Sequence, residues 1–273
     1  MIELLNESFF QRALLAGVLA SVACGVVGSF VVVRRMASIS GGLAHAAFGG
    51  VGLGYALGFS PTVGATGFAI LCGLGIGLAG RRLAAGFDTA IAMVWALGMA
   101  LGILFISLAP GYAPDLMSYL FGSILFVPPA YLLFLLGLDA VILMGTLAVF
   151  KELQAVAFDE EYATVVGVPS RVFQFLLLIL ISLAVVALIR VVGVILVIAL
   201  LTIPAAVARQ WSDRLSRMMV GAALLGMAAC TGGLFLSAGL ATAYDTNLPT
   251  GPVIILLAAV LYGVSSVLRR GRR

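Results

Sequence analysis

The sequence predicts an all-α protein, a polytopic bundle of eight to nine membrane-spanning helices forming one transmembrane domain over residues 1–273. Three observations predict it. Apolar residues fill 63% of the chain and charged ones 10%, too little charge to cover a water-soluble domain of this length. Apolar segments of about 20 residues, the length of a bilayer crossing, follow one another from end to end. The cationic residues sort to the ends of those segments. The 33 glycines fit the same picture, because small residues let membrane helices pack closely.

The expected crossings are 9–33, 38–58, 61–80, 88–108, 129–150, 172–189, 191–208, 218–240 and 252–268. Residues 109–128 hold Pro110, Pro114, Asp115 and Pro128 and read as an exposed connection that dips partway back. With nine crossings, every Lys and Arg except Arg12 and Arg190 falls on one side. The positive-inside rule makes that side cytoplasmic, with the N-terminus outside and the C-terminus inside. An eight-span variant survives if one segment lies in the interface. The net charge of +4 thus reports topology and gives no reason to expect nucleic-acid binding. Cys24, Cys72 and Cys230 stand singly in apolar stretches and read as small buried residues. Met1 to Glu7 lacks the cationic start of a cleavable signal peptide.

Residues 151–171 form the one sizeable cytoplasmic connection. Within it, Asp159 is a good N-cap, and Glu160 and Glu161 favour a first helical turn. Gly167 fits a left-handed stop, and Pro169 follows it. The segment spells a helix of about two turns, too short to stand alone in water. Tyr162, Val165 and Val166 form its apolar stripe. It either lies on this protein's own cytoplasmic face or docks a cytosolic partner.

The segment Asp159 to Val168 resembles the D-x-E-x-A-x-x-x-G-V coupling segment of the ABC-3 family, the permeases of zinc, manganese and iron ABC importers. Ala163, Val166 and Gly167 fall within the match. Other stretches agree in order along the chain. Ser29 to Met36 precedes Gly41 to Val51, which is similar to the family's histidine region around His45. Asp115 to Gly122 fits. Gly193 to Ala206 is similar to its G-x-x-L-x-x-x-L-L-x-x-P-A-A stretch, and Tyr244 to Pro252 to its late D-x-P-x-G-P turn.

The resemblance implies a type II ABC importer-like fold and a homodimer or close heterodimer of permeases. It implies cytosolic ABC ATPase subunits gripping 159–168, and an extracytoplasmic metal-binding protein delivering the ion. The chain has no Walker A motif, so ATP falls to a separate subunit and the permease itself is no enzyme. The metal is cargo, and no tightly bound cofactor is expected. Zinc is the favoured cargo by resemblance, with manganese and iron as the other family metals. Many members carry an Asp four residues before the His. Gly41 stands there in this chain, which leaves an Asp–His pair incomplete.

His45 is the one histidine. A continuous helix from Arg35 would set it about 15 Å deep, near the membrane midplane. Taken alone it reads as a packing histidine hydrogen-bonded to a neighbouring helix; the resemblance makes it a transient metal ligand. Permeases must release the ion, so no full cage is expected. Asp139 sits mid-span, where an ionised carboxylate is costly, and reads equally as a pathway residue and a structural one. Asp115 and Asp245 lie in outer connections, as turn caps or as charges that attract cations. Asp88 starts the fourth span as a helix N-terminal charge.

Gly50, Gly54 and Gly58, the cluster Gly73, Gly75 and Gly77, and the pair Gly98 and Gly102 predict close helix contacts. Pro204 predicts a kink. Other classes fit less well. A stand-alone secondary transporter usually pairs intramembrane charges across repeats. A zinc protease needs HExxH. Permeases for vitamin B12 or iron chelates usually run longer.

Overall fold

The computed structural model describes residues 6–82, 86–110, 122, 124–244 and 249–270. Those residues are mostly helical, with no strand among them. Ten α-helices follow in chain order: α1 (Ser8–Val33), α2 (Ala37–Leu57), α3 (Pro61–Arg82), α4 (Gly86–Leu108), α5 (Pro129–Ala148), α6 (Phe150–Phe158), α7 (Glu160–Val165), α8 (Ser170–Trp211), α9 (Leu215–Tyr244) and α10 (Thr250–Arg270). A 3₁₀ turn, Ile124–Phe126, precedes α5.

Seven of these helices are long and apolar enough to cross a membrane, against the eight to nine expected. The difference has two sources. Helix α2 is 21 residues long, but its glycines and serines dilute its hydropathy. The expected spans 172–189 and 191–208 form one helical segment, α8, of 42 residues. Continuous, it would measure about 63 Å, twice a hydrocarbon core. It is broken at Gly193, where φ is 75° and ψ 165°, a conformation essentially confined to glycine. Pro204 lies inside the helix eleven residues on, with helical backbone around it. The expected loop from 151 also differs, since α6 occupies its first half.

The chain divides into two compact units. The first comprises 1–32, 118–143 and 187–273. Here Gly28 of α1 meets the carbonyl of Leu201 with no room for a Cβ, so the two backbones pack in direct contact. Phe10 and Phe235 meet edge to face, with centroids 5.3 Å apart. The end of α8 is tied by side chains: Arg209 donates to the Val32 carbonyl at 2.9 Å, and Trp211 Nε1 donates to Ser265 Oγ at 2.7 Å.

The second unit comprises 33–117 and 144–186. Its centre is α2, packed against α3 and α4. Gly50 rests on the Gly64 backbone, Gly98 on Ala46 and Gly102 on Phe48, close contacts of the kind the glycine spacing predicts. Gly58 ends α2 in the left-handed conformation, with φ 73°, and Gly75 faces open space.

Candidate coupling handle and ion-pathway residues

Helix α7 forms as the sequence predicts. Asp159 caps it, its carboxylate accepting from the Tyr162 amide at 2.9 Å. Such a cap satisfies a helix-terminal donor that would otherwise be orphaned. Gly167 stops the turn with φ 88°, and the Val168 amide returns to the Ala163 carbonyl at 2.9 Å. Thr164 Oγ1 bonds the Glu160 carbonyl at 2.8 Å and pairs with Ser170 Oγ at 2.7 Å. The short helix is therefore stiffly joined to the start of α8.

Its two faces differ sharply. Ala163 is fully buried, while Tyr162, Val165 and Val166 are 63%, 85% and 53% exposed. The helix rests on this chain through Ala163, and its apolar stripe does not fold back onto it. Beside it runs a cleft lined by Glu160, Glu161, Thr164, Val165, Ser170 and Arg171. Glu160 also forms an ion pair with Arg34 at 2.9 Å. Sequence reasoning missed this pair, because Arg34 read only as the cation ending the first span.

His45 lies near the middle of α2, with its imidazole stacked on Trp95 of α4 at a centroid distance of 4.5 Å and an interplanar angle of 11°. Its Nδ1 is buried without a hydrogen-bond partner among the described residues. Ring stacking thus replaces the interhelical hydrogen bond of the simpler expectation. Trp95 was not singled out by sequence, although a Trp mid-span, away from the interface where Trp concentrates, was the available signal. Among the described residues, no three His, Cys, Asp or Glu side chains come together to hold a metal.

Asp139 is 3% exposed, on the α5 face that also buries Leu135, Ile142 and Thr146. Neither carboxyl oxygen has a partner among the described residues. The structure places it in the first unit and His45 in the second. Asp115 and Asp245 lie outside the described residues.

The model of the ABC 3 transport family matches residues 6–269. The chain belongs to this family. An uncharacterized membrane protein of Synechocystis is 44% identical over 99% of this chain and 94% of its own length. The manganese transport system membrane protein MntC of Listeria monocytogenes is 33% identical over 96% and 91%. Among solved structures, PsaBC from Streptococcus pneumoniae in complex with Fab superposes with a TM-score of 0.84 at 32% identity, covering 97% of this chain and 93% of that one. Membership of the ABC 3 family accords with the residues that suggested it, from the handle to the histidine region.

Proposed function

We propose that this chain is the membrane-spanning permease subunit of an ATP-binding cassette importer that carries divalent metal ions into the cytoplasm. The observation that carries the reading is the capped, rigidly joined helix α7, which presents Tyr162, Val165 and Val166 outward. A chain without a phosphate-binding loop needs another protein to supply ATP hydrolysis, and an apolar handle is where that protein would push. Cytosolic ABC ATPase subunits are the partners on that side. An extracytoplasmic metal-binding protein delivers the ion, and a second permease copy completes the pathway.

Manganese is the cargo best supported, in place of the zinc favoured from sequence, because the named relative in Listeria is a manganese system. Zinc and iron are the competing ions. His45 is the pathway ligand, held on one side by Trp95 with its Nδ1 unclaimed. Nine crossings are counted in this reading: the seven apolar helices, with α8 taken as two arms about Gly193, and α2, long enough despite its glycines. On this count the positive-inside rule favours the handle and the C-terminus on the cytoplasmic side of a bacterial inner membrane, with the N-terminus outside.

The test is reconstitution of the chain with its cognate ATPase and binding protein in liposomes. Uptake of manganese should require ATP and stop when the ATPase cannot hydrolyse it. Metal-driven uptake by the lone chain would overturn the assignment. Competition by zinc and iron at equal concentration ranks the cargo.

A further inference from the structure

We infer that the Arg34–Glu160 ion pair is the mechanical link between the α7 handle and the helix that carries His45. The inference rests on the permease reading above and assigns the pair a positioning role within it. Glu160 is the first residue of α7, and Arg34 lies in the short turn that leads into α2. Arg35, next in that turn, has φ 57°, a left-handed backbone that a non-glycine residue adopts only under local constraint. Met36 then begins α2 without a side-chain cap. The first turn of α2 is tied to α4, Ser38 Oγ donating to Asp88 Oδ1 at 2.9 Å.

The ion pair adds a second tie, from the turn ahead of α2 to α7. Its side chains are 12% and 29% exposed, so solvent screens them far less than a surface pair. Arg34 Nη1 is buried with no partner among the described residues. Losing the carboxylate would strand a charge largely removed from water, which proteins tolerate poorly. The guanidinium must therefore follow Glu160 if the handle shifts.

Each end of the link is stiff. On the handle side, the Thr164 bonds to Glu160 and Ser170 join α7 to α8. On the other side, α2 is locked by close contacts, Gly42 on Ile91, Gly50 on Gly64, and Gly98 of α4 on Ala46. A closely packed helix transmits displacement along its length. His45 sits eight residues beyond the start of α2, stacked on Trp95. A push on the handle is felt there as a change in the stacked pair.

That stack supplies the test. In the full chain carrying Trp211→Phe, Trp95 is the sole tryptophan. Glu160→Gln and Arg34→Gln should each shift its emission, while Glu152→Gln, on α6, should not. In liposomes with the cognate ATPase, Arg34→Glu and Glu160→Arg alone should each lower manganese uptake about tenfold, a typical coupling effect, with ATP hydrolysis retained. The double exchange should restore both readouts. A Trp95 signal unmoved by both handle-side substitutions would overturn the link, as would a double exchange that assembles and fails to recover. If the parent complex shows no ATP-dependent uptake while Trp95 still responds, the link stands and the transport reading falls.

Discussion

At the scale of single residues, two side chains sit where lipid makes polarity expensive. His45 shares one ring face with Trp95 and keeps a buried nitrogen unpaired. We expect His45→Ala to reduce manganese uptake at limiting metal at least tenfold, the scale of a lost metal-site group, with unchanged membrane abundance on immunoblots. Normal uptake would remove it from the pathway. Asp139 is a different case. A buried carboxyl without partners costs free energy in either protonation state. Asp139→Asn should therefore leave thermal unfolding in detergent at or above the parent temperature. A clear drop would show that the carboxyl has a partner beyond the described residues.

At the scale of elements, the ends of helices were the most legible part of the sequence. Asp159 and Gly167 act through their own backbone neighbourhood, so their cap and stop could be read directly. Asp159→Ala should cost about 1 kcal/mol of local stability and show as faster hydrogen exchange across 160–165. The break in α8 was nearly legible, since the expected boundary at Arg190 falls three residues before Gly193, and only the glycine conformation itself was not. A run too long for one crossing calls for a break, but a glycine in an apolar run gives no periodicity signal for the backbone angles it adopts. Gly193→Ala should destabilise by about 1–3 kcal/mol, because a Cβ fits that conformation poorly. Thermal unfolding of the purified variant measures it. The Arg34–Glu160 and His45–Trp95 contacts were illegible too, since each joins residues remote in sequence that only packing brings together. Helix α2 shows the limit of hydropathy itself: the glycines that give it close neighbours also make it look too polar to cross.

At the scale of the molecule, composition and the sorting of cationic residues were enough for an all-helical membrane protein, and the family match extends that to nearly the whole chain. Orientation is open to a direct check. Reporter fusions after Arg270 and within 151–158 should be active only in the cytoplasm, and a fusion ahead of Ser8 only outside. A C-terminal reporter active outside would remove one crossing from the count. The handle carries a further consequence. A copy synthesised without its companions bears three apolar side chains, Tyr162, Val165 and Val166, uncovered at its surface. Such an orphan wears a sticky flag that quality-control proteases can read. Subunit balance would then be kept by disposal of the unaccompanied copies, with no need for matched synthesis, and the chain's half-life in cells should lengthen when the ATPase is supplied alongside it.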